Sequence, residues 1–406
     1  MGQGRVRVEM GKSARLTAAL PPWGPTDWSR ALVSLACLCA CGAACSTATV
    51  RRDTTEHHDY PAGVAQMRWH TQIHAYAYSE ARPEECASGT LVGRKLVLGS
   101  RGGAVVGVDV GSGAISWSTP ISGGVDGNAR YDKERGQVYV GSDDGYLYAI
   151  EPDKGAIRWS TKFKGAIDHG PDIGTSGLFV ATAADRVFAV DPSDGKTRWQ
   201  YERDTPEGFT IHGYAVPRQY GQVVYAGFSD GYLAALQAET GDLLWSRSLA
   251  AASEQFVDVD ASPILHGDHL YAASFSGGVY ALRPKDGEVS WHLLIDGTSA
   301  LAMGAQNLYA VSSRNGLAAV SLQGNILWRQ GLPDAGDLTV PVEVGPYLVF
   351  SGSRQGLFIV ERSTGKLLQV FDPARGMCAA PTIDHEGKSL YVLANSGTLY
   401  ALDLVW

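Results

Sequence analysis

Alternating apolar and polar positions, broken at short intervals by Asp, Gly and Pro, run through the chain from about residue 64 onward. The stretch Tyr139 to Trp159 shows the unit. An apolar run meets a turn at Asp143, Asp144 and Gly145, and a second run covers Leu147 to Ile150. A turn ending in Gly155 follows, then a third run that places Trp159 four residues after that glycine. Period-two alternation bounded by turn residues predicts strands joined by tight hairpins. The unit recurs: Trp117, Trp199, Trp245, Trp291 and Trp328 each follow a turn glycine (Gly113, Gly195, Gly241, Gly287 and Gly324) at the same spacing. A seventh turn keeps its glycine, Gly365, but has Gln369 where tryptophan is expected, and the strand before the turn appears eight times, last at Leu399 to Asp403. Tryptophans roughly 40 residues apart match the length of a four-stranded propeller blade, a module that buries its faces only by stacking on copies of itself.

The two ends of the repeat complement one another. The eighth copy stops three residues past Asp403, without a fourth strand, whereas Gln66 to Gln72, around Trp69, reads as a fourth strand with no preceding three. The pattern therefore predicts an all-β fold, an eight-bladed β-propeller of four-stranded antiparallel blades, with an N-terminal strand completing the last blade and hiding its edge.

Residues 65–406 are assigned to this ring. Residues 1–45 read as an export signal: a basic start, then the uncharged run Ala31 to Ala44, too short for a comfortable membrane span. Cysteines at 37, 39, 41 and 45 fall in this region. Cys45, which ends the apolar run, is the expected lipid-bearing residue of a lipoprotein, and Cys41, with Leu38 three residues before it, is the alternative. Residues 46–64 form a polar, flexible tether in which His57 and His58 read as solvated rather than metal-binding. Two cysteines remain. Cys86 and Cys378 occupy equivalent places at the start of the first and last blades. Two readings stay open for them, a disulfide, which export permits, or two small buried side chains. A net charge of −8 with a pI near 5.7 argues against a general nucleic-acid binder.

Candidate chemistry is sparse. Gly227 to Gly231 fits the G-x-S-x-G pattern of hydrolases, but it occupies the hairpin turn that Ser142 to Gly145 occupies in another copy, so Ser229 is read as a turn residue. Asp109, Glu151, Asp191 and Asp403 recur at one place in the repeat, which points to carboxylates accepting turn N–H groups. No catalytic or metal-binding residue is assigned. Two segments depart from the repeat. One runs from Glu207 to Gly213 and sets Phe209 and Ile211 on one side of an extended loop. The other runs from Glu254 to Pro263 and sets Asp258 and Asp260 on one side. Apolar residues beside paired acids suit a protein-recognition patch. The plainer alternative is that both segments merely lead into strands.

The repeated form from Tyr148 to Trp159 resembles the tryptophan-docked repeat of quinoprotein (PQQ-type) propellers. With a lipoprotein signal, eight copies and short blades, residues 64–405 resemble the BamB family of outer-membrane β-barrel assembly lipoproteins. The resemblance implies a non-enzymatic scaffold without cofactor, lipid-anchored to the outer membrane and facing the periplasm of a Gram-negative bacterium. Its implied partners are a POTRA domain of a BamA-like protein and unfolded outer-membrane clients. That family uses a Leu-x-Leu-Arg-Gly loop and an Asp-x-Asp segment for the POTRA contact. These fall on Phe209, Ile211 and His212, and on Asp258 and Asp260. His212 in place of arginine loses a permanent charge and a bidentate donor. Quinoprotein dehydrogenases share the fold but resemble longer chains with an adjacent-cysteine disulfide and calcium ligands. A propeller binding another periplasmic protein or a cell-wall ligand is the remaining alternative.

Overall fold

In the computed structural model, residues 49–51, 63–74, 84–203, 215–250 and 256–405 are described. Eight antiparallel sheets follow one another along the chain. Blades 1 to 7 occupy residues 90–120, 130–162, 172–202, 218–248, 264–293, 298–330 and 342–372. Blade 8 takes three strands from Thr382–Ile383, Ser389–Leu393 and Thr398–Leu404, and its fourth is Ala65–Gln72, paired along Thr398–Leu404. The ring is closed by the N-terminal strand, as the repeat arithmetic predicts.

Within each blade, burial follows strand position. The second strand of blade 2, Gln137–Gly141, is buried throughout, whereas its fourth, Ile157–Lys162, alternates exposed and half-buried residues. The short first strands of blades 1 to 4 lie beside one another across blade boundaries, which puts them innermost, around the ring axis. The core is distributed between blades, as in the packing of Tyr139, Leu147 and Ile167 against Leu178 and Val190.

Tryptophan docking joins the blades. In seven blades the indole N–H donates to a backbone carbonyl in the turn of the next: Trp69 to Val110, Trp117 to Pro152, Trp159 to Pro192, Trp199 to Ala238, Trp245 to Pro284, Trp291 to Leu322 and Trp328 to Arg362, at 2.9–3.1 Å. The turn glycine is required twice over. Gly113 has φ +74°, and a Cβ there would lie 2.7 Å from the Trp69 ring.

The turn carboxylates behave as the repeat suggests in three blades. Asp109 accepts from the Ser112 amide at 2.9 Å, Glu151 from the Asp153 and Lys154 amides at 3.0 Å, and Asp191 from the Ser193 amide at 2.9 Å. Asp403 departs from this. No turn follows it, because the fourth strand comes from the other end of the chain. It pairs with Arg68 on that strand at 3.2 Å and accepts from Ser389 Oγ at 2.9 Å.

Of the two readings left open for the remaining cysteines the structure takes the disulfide, and one feature of the tether departs from the sequence reading. Cys86 and Cys378 are joined as a disulfide, their Cα atoms 4.8 Å apart. They lie in the lead-ins before Thr90–Val92 and Thr382–Ile383 rather than at the first residues of those strands, and this is what brings them within bonding range. Inside the tether, Thr49–Arg51 pairs with Leu367–Asp372 as a fifth strand on the outer edge of blade 7. An open strand edge offers unpaired N–H and C=O groups to any nearby chain, and this segment takes them.

Candidate partner interface

The chain leaves blade 4 after Leu243–Ser248 and reaches the inner strand of blade 5 at Ile264–His266. Between them lie Asp258 and Asp260. The segment is pinned by its backbone and by one apolar side chain: the Val259 amide donates to Phe228 O at 3.1 Å, Phe275 N donates to Asp258 O at 2.9 Å, and Val259 is buried between blades 4 and 5. Alternation about Val259 puts the two aspartates together on its other side.

The sequence sets the acidic pair on one side of the segment as part of a recognition patch, and the structure shuts the carboxyl groups away from water. Asp258 is only 2% exposed. Both carboxylate oxygens of Asp260 are shut off from water and have no hydrogen-bond partner among the described residues. Burial, and then the neighbouring Asp258, push the Asp260 carboxyl well above the usual carboxylate range. A buried carboxylate without a donor is costly to keep ionised, so this position favours the arrival of a cation or a strong donor.

The exposed member of the segment is Phe256, which sequence reasoning passed over. It is 38% exposed, at φ +57°, a backbone region that disfavours a bulky residue. Its ring lies 6.3 Å from Phe275, over which the Arg314 guanidinium packs at 5.6 Å from the ring centre. Exposure combined with an unfavourable backbone is the available signal, and neither is visible in a sequence pattern.

Phe209, Ile211 and His212 lie outside the described residues, as do Cys41, Cys45 and the histidine pair at 57 and 58. The structure therefore does not report whether the two departing segments meet. Ser229 is accounted for. Its amide donates to Asp185 Oδ1 at 3.0 Å and its hydroxyl to Asp185 Oδ2, so the G-x-S-x-G stretch fastens blade 4 to blade 3. Among the described residues no group of three or more His, Cys, Asp or Glu side chains is placed to hold a metal ion.

A family model described as outer membrane protein assembly factor BamB matches residues 101–324. The protein of that name from Legionella pneumophila (strain Paris) is 34% identical over 188 residues, which cover 45% of this chain and 48% of that protein. That from Vibrio cholerae is 31% identical over 284 residues, covering 68% and 73%. The chain thus spans about half the length of the Legionella relative and nearly three quarters of the Vibrio one. Among solved structures, the crystal structure of BamB from Moraxella catarrhalis superposes with a TM-score of 0.71 at 22% identity, over 84% of this chain and 100% of that one. A quinohemoprotein alcohol dehydrogenase from Comamonas testosteroni gives 0.65 at 13% identity, over 84% and 76%. At these identities the two structures speak to the fold alone.

Proposed function

The chain belongs to the family of outer membrane protein assembly factor BamB, and from that premise we propose that it is a non-enzymatic docking scaffold in outer-membrane β-barrel assembly. In this reading, residues 1–45 direct export and Cys45, or alternatively Cys41, carries the lipid that holds the ring at the outer membrane, facing the periplasm. The lead-in bearing Asp258 and Asp260 receives a POTRA domain of a BamA-like partner. Phe209, Ile211 and His212 extend the contact, and the platform aids insertion of outer-membrane proteins.

The observation that supports this reading most directly is the Asp260 carboxylate, enclosed beside Asp258 with no donor among the described residues. Natural folds seldom retain such a group unless something supplies its missing partner, and an arginine or lysine from a docking domain does so. Enzymatic quinone chemistry finds no such support. The disulfide here joins residues 292 apart in sequence rather than neighbours, and it clamps two blades together.

Capture from a detergent-solubilised envelope tests the proposal. Tagged wild-type protein is expected to recover a BamA-like POTRA protein, and Asp258→Ala with Asp260→Ala to recover much less while the ring still melts cooperatively. Undiminished capture by the double variant removes the patch. Recovery of an unrelated envelope protein instead removes the assembly role. Dye reduction after addition of PQQ and Ca²⁺ would restore the dehydrogenase alternative.

A further inference from the structure

The fourth strands of the eight blades share one position, the residue after the docking one. It is exposed and polar in seven of them, as Ser118, Ser160, Gln200, Ser246, His292, Arg329 and His70. In blade 7 it is Val370, half-buried. Among the described residues that blade alone carries a fifth strand: Thr49 pairs with Asp372, Val50 with Phe371 and Arg51 with Val370. An apolar, β-branched residue where every other blade shows a polar one suits an outer strand along which a further strand lies. The pairing is therefore written into the ring as well as into the tether.

The register also fixes the direction from which the chain arrives. Thr49 lies opposite Asp372, at the end of the strand from which the chain runs on into the lead-in of blade 8. Cys45 stands four residues before Thr49, so their Cα atoms are at most about 14 Å apart, and for Cys41, eight residues before, the limit is about 29 Å. Without the fifth strand the first fixed point would be Gly63, at a reach of about 65 Å from Cys45. A ring of this size has a radius of gyration of about 20 Å. The longer leash would let any side of the ring meet the bilayer, and the shorter one holds a single stretch of rim beside it.

We infer that the outer edge of blade 7, at its Asp372 end, is the side of the ring held at the lipid bilayer, with the ring standing off the membrane from that edge. This rests on the lipid-anchor and docking readings above. The lead-in that carries Asp258 and Asp260 also follows a fourth strand, so it opens on the same face as the Asp372 end, but between blades 4 and 5. A ring lying flat on that face would press the segment against lipid. A ring held by the rim of blade 7 leaves it open to a protein partner.

Energy transfer to the membrane tests this. Full-length lipidated protein is purified from the envelope and reconstituted into vesicles of phosphatidylethanolamine and phosphatidylglycerol that contain a headgroup-labelled acceptor lipid. A donor dye is placed on Arg375→Cys, in the lead-in after blade 7, or on Lys164→Cys, in the lead-in after blade 2; both positions are exposed and on the same face. The signal of unsubstituted protein is subtracted. Transfer should be stronger from Arg375→Cys. Thr49→Pro with Val50→Pro removes a ladder donor whichever of the two N–H groups faces the blade, and should abolish the difference. Equal transfer from the two sites, stronger transfer from Lys164→Cys, or a difference that survives the proline pair would overturn the orientation. The mass of the N-terminal peptide, read on the same samples, separates the two kinds of failure. A lipidated chain with equal transfer removes the orientation alone, and a chain without lipid removes the anchor and the orientation together.

Discussion

The side-chain amide of Gln369 holds the backbone of Ala65 at both of its polar groups: Nε2 donates to the Ala65 carbonyl at 3.1 Å, and Oε1 accepts from the Ala65 amide at 3.0 Å. Gln369 stands where blades 1 to 6 carry a docking tryptophan. The difference has a physical cause. A docking indole needs the glycine turn between the third and fourth strands of the next blade, and blade 8 has no such turn, because its fourth strand arrives from the other end of the chain. A bidentate amide replaces the indole against the one blade whose third and fourth strands are not joined by a turn.

Gln369→Leu removes both hydrogen bonds while keeping an apolar side chain of similar size. The Ala65 N–H and C=O are left buried without partners, at a cost of about 1–3 kcal/mol. Gln369→Trp should not rescue the junction, since no turn glycine waits beneath the ring. Urea melts of both variants check this, and wild-type stability in Gln369→Leu would show that the grip contributes nothing.

Deletion of residues 62–74 should be far more damaging. It removes the whole fourth strand of blade 8, the Trp69 indole bond to Val110 and the Arg68–Asp403 pair, and it uncovers the long edge of Thr398–Leu404. The loss should approach the whole stability of an ordinary domain, about 5–15 kcal/mol, and appear as aggregation or loss of a cooperative melt. An unchanged melting temperature would contradict the closure.

The disulfide clamps the same seam from the axial side, tying the lead-in of blade 1 to that of blade 8. Its sequence separation of 292 residues makes the constraint on the unfolded chain large, and a typical contribution is about 2–4 kcal/mol. Cys86→Ser with Cys378→Ala should lower the unfolding free energy by that amount in oxidising buffer and abolish its dependence on reductant. Thiol counting on denatured, unreduced protein should find neither cysteine free.

Much of this architecture is legible in the residues, because the signal and its cause coincide. Trp117 and Gly155 recur together in the chain since each indole sits on the next glycine, so the repeat is itself the inter-blade contact. The ring closure is legible because one end lacks the strand that the other has in surplus. Gln369 reads as a degenerate tryptophan until the missing turn of blade 8 is set beside it. The Cys86–Cys378 bond lies in lead-ins that the repeat does not parameterise, so periodicity leaves it open. The site is less legible still. Asp258 and Asp260 are found as a departure from the repeat, but their enclosure depends on how blades 4 and 5 pack.

Asp260 separates stability from function in a way that can be measured. Its carboxyl is raised by burial and by Asp258, so the folded state holds a proton that the unfolded chain releases near pH 4. Between those two values the native state binds more protons, and stability falls as pH rises, by up to about 1.4 kcal/mol per pH unit. Below the unfolded value the penalty vanishes. Asp260→Asn, which cannot ionise, should therefore melt higher than wild type at neutral pH, converge with it near pH 4, and show a flatter pH profile between. If the enclosed acid is kept for a partner's cation, the same substitution should weaken POTRA-domain capture while stabilising the free ring. A variant destabilised at neutral pH would mean that the carboxylate already has a favourable contact within this chain, and the site would lose its electrostatic rationale.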